Sequence, residues 1–129
     1  MKIQPATTWV TATTFAQANA SGTNQLNMTV GVSEDIINAQ TNIAGYAAAG
    51  TIYTAIGLDV TNAASADCIF SYASQITPSN PTVLTSSYSG YVGIGLHALT
   101  FLTGTNGTAA TFDGTNSNTK SGITGTMFC

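Results

Sequence analysis

Charge is what this chain lacks most. Its 129 residues carry two basic and five acidic side chains, 5% of the total, where globular proteins average about a quarter. Lys2 and Lys120 are the only basic residues and arginine is absent. Affinity for nucleic acid comes mainly from Lys and Arg on phosphates, so no nucleic-acid partner is expected. Attraction to anionic lipid is not expected either, for the same reason. Long apolar runs are also missing. No stretch of about 18 apolar residues exists, so no membrane insertion is expected. The most apolar stretch, residues 91–102, is interrupted by Gly93, Gly95, His97 and Thr100. The first residues, MKIQPAT, hold no apolar core of a signal peptide. Cysteine is scarce: Cys68 and Cys129 have no C-x-x-C spacing and only one histidine to join them, which does not make a zinc site. They read as two reduced thiols, with a disulfide within or between chains left open. No cofactor is expected.

What remains is an apolar share of 43%, close to the globular norm, with a formal charge of −3. That combination argues against disorder. The length suits one domain, residues 1–129, with a core large enough to need no staple. The polar surface must come from Ser, Thr and Asn. Threonine favours a pleated strand. A face of Thr, Ala and Gly also orders with less lost rotamer entropy than one of Lys and Glu, so it suits packing against a neighbour. Such surfaces fit an extracellular or virion exterior.

Turn residues divide the chain into short β segments. Residues 7–18 (TTWVTATTFAQA) and 26–32 (LNMTVGV) read as strands, with a turn cluster at 19–24. Residues 33–40 (SEDIINAQ) are the one helical candidate: Ser33 would cap it, and Glu34 and Asp35 would complement its positive first turn. Residues 41–50, with Gly45 and three consecutive alanines, read as a loop. Residues 51–61 (TIYTAIGLDVT) alternate most clearly, with Ile52, Thr54, Ile56, Leu58 and Val60 on one side and Tyr53, Ala55, Gly57 and Asp59 on the other. Residues 67–76 and 82–87 read as strands around a two-proline break, with a turn at Ser89-Gly90. Residues 91–103 (YVGIGLHALTFLT) are apolar on both parities, which implies burial on both faces. In a domain with almost no helix, the expected cover for the second face is a neighbouring subunit. GTNG at 104–107 signals a hairpin, and residues 108–113 and 122–129 complete the set. The pattern predicts an all-β fold, a jelly-roll-type β-sandwich of about eight strands with little helix.

Several short motifs resemble a known family. GLD at 57–59, GLHALT at 95–100, GTAATF at 107–112 and SGITG at 121–125 follow an order similar to the trimeric tumour-necrosis-factor-like jelly rolls of phage fibre tips and capsid-surface proteins. The resemblance spans residues 51–129. It implies a homotrimer with residues 91–103 near the threefold axis, which would place Tyr91, His97, Leu99 and Phe101 at the trimer interface. Residues 1–50 match nothing in that pattern and are left open as a docking arm. A fibre tip follows a shaft, and no shaft precedes these residues, so a decoration or cement protein on the phage capsid exterior is the expected function. Its partners would be its own copies and the major capsid protein or another virion protein. It would be made in the host cytoplasm and reside on the virion surface.

The chemistry-bearing residues are few. His97 is the one histidine; a general base, an ion ligand on a threefold axis and a neutral interface histidine are the readings weighed, the last being favoured. Glu34 and Asp35 are the one adjacent acid pair, while Asp59, Asp67 and Asp113 are scattered and suit turns. No EF-hand run, nucleophile elbow or phosphate loop occurs. No catalytic residue, no metal ligand and no enzymatic activity are therefore expected. The alternative function is a receptor-binding tip that recognises host surface glycan, with Trp9 and Tyr46 as candidate contacts. Asn27 and Asn106 match the glycosylation sequon, a weak pattern.

Overall fold

The computed structural model describes residues 1–5, 7–11, 14–32, 34–76, 80–115 and 120–128, without the side chains of 75 and 76. Ser33, residues 77–79 of the two-proline break and Cys129 lie outside the described residues. Among the described residues, eleven strands form: β1 (Lys2–Ile3), β2 (Trp9–Thr11), β3 (Ala16–Gln17), β4 (Gln25–Val30), β5 (Ile36–Leu58), β6 (Cys68–Phe70), β7 (Tyr72–Ile76), β8 (Thr82–Tyr91), β9 (Gly95–Thr105), β10 (Ala110–Asp113) and β11 (Gly122–Phe128). The fold is all-β, as the sequence predicts. All pairings are antiparallel, within one open 11-stranded sheet.

β5 organises the fold, and it corrects two expectations. Of the helix expected over 33–40, the described residues 34–40 are not helical, and residues 41–50 are not a loop; residues 36–58 form one continuous strand of 23 residues. The physical reason is period-two burial. Ile37, Ala39, Thr41 and Ile43 face the core, while Asn38, Gln40 and Asn42 face out. A helix over these residues would have scattered the apolar set around its circumference. The first half of β5 pairs β8 on one edge and β11, then β10, on the other. After a register shift between Ala47 and Thr51, where Gly50 takes φ +90°, the second half pairs β7 and β9. The strand therefore leaves one layer and enters the other, as bulges and Gly residues permit. The chain crosses between layers again at Ser71, between β6, which pairs β8, and β7, which pairs β5. This split accounts for two strands where residues 67–76 read as one.

The layers enclose a core built from Leu26, Ile37, Ile43, Ile56, Phe101 and Phe112, among others. Trp9 stacks on Phe112 (6.0 Å between centroids) and meets Phe101 edge-on (6.3 Å). Hydroxyls cross the core as well. Thr41 and Thr54, from the two halves of β5, share a hydrogen bond at 3.2 Å, and Thr41 also bonds Ser86. Trp9 Nε1 donates to Thr103 Oγ1. These four hydroxyls and the indole N–H are thereby paired across the core, whereas the buried Thr100 Oγ1 and Tyr88 hydroxyl meet no partner among the described residues.

β9 is buried on both faces from Leu99 to Thr105, yet its second face is covered by the chain itself. Leu99, Phe101 and Thr103 face the core. Their alternates lie beside Tyr53, Ala55 and Gly57 of β5. Phe15 packs on Tyr53 (5.0 Å) and Phe70 (5.9 Å) over this outer side. A methyl group on Gly57 would lie 2.6 Å from the Val60 carbonyl oxygen and 2.8 Å from that of Ala63, so the 59–67 segment lies directly on the sheet. The expected covering subunit is replaced by these two segments. Two turn expectations also change. Ser89-Gly90 continues β8, and GTNG at 104–107 joins strands in different layers, because β9 pairs β5, β4 and β3 whereas β10 pairs β5 and β2.

Candidate functional site

Topology places three strand ends together. Ile36 opens β5, Tyr91 closes β8 and Phe128 closes β11, all in register. Val30 of β4 pairs Gly95 of β9 at the same end. The loops here leave large apolar side chains in solvent: Val32, Val60, Tyr91, Ile94, Leu96 and Phe128 are 39–76% exposed. Patches of this kind mark contact surfaces more often than isolated exposed residues do. From this end a largely apolar groove of about 590 Å³ runs between the edges of β4 and β11, lined by Leu26, Met28, Leu96 and Met127, with the Met1 ammonium at its wall.

Asp59 and His97 sit at the same end. Asp59 follows β5 with φ +56°, a left-handed turn that a short Asp side chain tolerates. Its backbone N–H donates to the Ala98 carbonyl, and its Oδ1 accepts from the Ala98 N–H, both at 2.8 Å. His97 Nδ1 lies 2.8 Å from Asp59 Oδ2. Partial burial pushes the Asp59 carboxyl up, but the bonds from His97 and Ala98 outweigh it and hold Asp59 below its ordinary value. A group depressed in the folded state adds stability above its unfolded pKa and loses it as pH falls through the folded value. Asp59 is 46% exposed, so solvent screening keeps the contribution below about 1 kcal/mol. Asp59→Asn, which keeps an acceptor for Ala98, is expected to flatten the loss of stability below about pH 4. Urea unfolding at pH 3 and pH 7 checks this; an unchanged acid limb would contradict it.

His97 Nε2 is buried and meets no hydrogen-bonding group among the described residues, so the pair resembles a strut more than a proton-transfer site. No three His, Cys, Asp or Glu side chains converge among the described residues. The nearby Tyr88 hydroxyl is raised above its ordinary pKa by burial, then by Asp67 and Asp59. Burial likewise raises the Cys68 thiol, which accepts from the Ile56 N–H.

The other expected site residues separate. Leu99 and Phe101 are fully buried in the chain's own core and present no surface to a neighbour. Tyr91 is 62% exposed and His97 is half-buried at the apolar end. Trp9 is a core residue, held by Thr103 and two aromatic rings, so it is not placed to stack on a sugar. Tyr46 is half-buried against the core, opposite Thr111. Glu34 is exposed and Asp35 is buried in the turn before β5.

A second surface was not anticipated. The outer face of β8, β5 and β11 carries rows of neutral side chains: Ser89–Asn38–Thr126, Ser87–Gln40–Thr124 and Thr85–Asn42–Gly122. Tyr91–Ile36–Phe128 forms the row below them. Two clefts, of about 540 and 420 Å³, meet at Gln40 and Thr124. The amides of INAQTN at 37–42 recur every second residue, a signal that the helical reading obscured.

No family model, curated protein or solved structure matches the chain.

Proposed function

We propose that the chain is a non-catalytic structural protein of a phage virion surface, acting as a homotrimer that decorates the capsid exterior. The observation that carries the reading is the apolar end, continuous through Leu96 with the largely apolar seam groove. A chain that covers itself mainly with hydroxyls and amides leaves this surface in solvent. The groove has no charged side chain in its lining, and the Met1 ammonium at its wall donates to the Gly125 carbonyl, so a second copy meets a largely apolar surface there. The end itself also bears Glu34, Asp59 and Asp67 near the apolar set. Three copies meeting end-on would crowd those acids, so the end suits the capsid or another virion protein, and the groove suits a second copy. Docking of each copy would stabilise the assembly by mass action. The phage setting and the jelly-roll kinship rest on the motif order GLD, GLHALT, GTAATF and SGITG.

Leu96 is 76% exposed, so Leu96→Glu should leave the fold intact while placing a charge in the groove. The variant is expected to sediment as a monomer where the parent sediments as a trimer, and to melt like the parent diluted to its monomer, the substitution itself being an exposed one. A parent protein that is monomeric at micromolar concentration would overturn the trimer. Failure of the trimer to co-sediment with capsids would overturn the decoration role.

A further inference from the structure

We propose that the outer face of β8, β5 and β11 is a binding site for an acidic saccharide. The face offers side chains that both donate and accept without carrying charge: Asn38, Gln40 and Asn42 on the central strand, flanked by Ser and Thr. Strand geometry sets them on a lattice of about 4.8 Å across and about 6.8 Å along. The backbone of the central strand is paired on both sides, so these side chains are the face's hydrogen-bonding capacity. Sugar hydroxyls, which also donate and accept, match this chemistry closely. Each of the two clefts falls in the usual range for small-ligand sites, about 300–1,000 Å³.

Charge distinguishes the ligand class. Lys2 and Lys120, the chain's only two basic side chains, line the same cleft, beside Gln40, Asn42, Thr85 and Thr124. Among the described residues, no carboxylate lines that cleft. Asp113, opposite Ala44, lies one row beyond. In a protein of net charge −3, gathering both cations on one amide-and-hydroxyl cleft complements a carboxylate or sulfate on a sugar. Neutral saccharides would forgo that contact. The lysine cleft does not depend on the assembly reading, because it shares no lining residue with the seam groove and each copy carries it whole.

The test is a glycan array bearing uronic, sialylated and sulfated oligosaccharides beside their neutral counterparts, probed with the full chain and with Leu96→Glu. Acidic saccharides are expected to bind and neutral ones to bind at least several-fold more weakly, with Leu96→Glu retaining the preference. Titration of the best acidic ligand should then show about tenfold weaker binding for Lys2→Gln/Lys120→Gln, the upper end for two exposed charge contacts. Gln40→Ala, an exposed substitution, should weaken binding of the same ligand. Inorganic sulfate at the same concentration should bind far more weakly than the saccharide. Absence of any acidic binder, equal binding of neutral counterparts, equal binding of sulfate, or unaltered affinity in the lysine and Gln40 variants would each overturn the site. Loss of assembly without loss of saccharide binding would bear on the trimer alone.

Discussion

Phe101→Ala is expected to lower unfolding free energy by about 3–5 kcal/mol, the usual cost of deleting a large aromatic side chain from a packed core. Phe101 is fully buried and meets Trp9 edge-on at 6.3 Å. The loss would be a large share of the 5–15 kcal/mol that typical domains possess. Two positions for Phe101 make opposite claims. A residue on a threefold axis would change oligomeric state and leave the monomer's stability nearly untouched. A residue inside the two-layer core would lower the midpoint of urea unfolding by a similar amount in a monomeric background. Adding Phe101→Ala to Leu96→Glu separates them. Their effects should combine nearly additively, because Leu96 faces solvent and Phe101 faces Trp9. A Phe101→Ala variant that unfolds at the parent's midpoint would return Phe101 to an interface.

The reason Phe101 was misplaced shows how far the sequence can be read. Residues 91–103 carry apolar side chains on both parities, and burial on both faces holds from Leu99 to Thr103 but not before it, where Tyr91, Ile94 and Leu96 are exposed. What covers the second face is a matter of long-range topology. Phe15, from before β3, and the 59–67 segment lie over it. Nothing in the period of residues 95–105 points to either. Alternation in 51–61 was legible for a related reason: Ile52, Ile56 and Leu58 have no competing local signal. In residues 33–50 the competing signals prevailed. Ser33, Glu34 and Asp35 form a plausible helix start, and Gly45 with three alanines resembles a loop. The structure gives those small residues another purpose. A methyl group on Gly45 would lie 2.8 Å from Phe112 Cδ1, so glycine there lets β10 and its phenyl ring close on β5. Small residues in a strand can mark close packing rather than a break.

The outer face was missed for the same reason. Asn38, Gln40 and Asn42 share a face only if residues 36–42 form a strand, so reading a helix there dispersed them. Once β5 is placed, three rows of neutral side chains follow from register alone, and the two lysines at positions 2 and 120 meet only because β1 pairs β11 beside β5. Contacts of this range are set by the whole topology, not by any local window.

Gly104→Ala is expected to cost about 3 kcal/mol and to uncover the outer side of β9. A methyl group on Gly104 would coincide with the Thr14 carbonyl oxygen and press on Tyr53 Cε2. The first neighbour is backbone, so rotating a side chain cannot relieve the clash. Overpacking of this kind typically costs about 1–3 kcal/mol, and here relief requires lifting the segment that carries Phe15. Lifting it would separate Phe15 from Tyr53 and Phe70 and expose apolar surface now shared by three rings. Burial holds the Tyr53 hydroxyl above its ordinary pKa, with its bond to Thr14 acting in the opposite direction. Exposure should therefore move the Tyr53 titration back towards that of a free phenol. Gly31→Ala is the control: nothing lies within 4 Å of the added methyl, and its φ is not in the left-handed region. That change should be neutral or stabilising by about 0.4–1 kcal/mol, through reduced freedom of the unfolded chain. Thermal melts of both variants, with near-ultraviolet circular dichroism to follow the aromatic packing, decide the matter. Parent-like melting of Gly104→Ala would mean that the Thr14 segment does not lie on β9, and the covering of its second face would have to come from elsewhere.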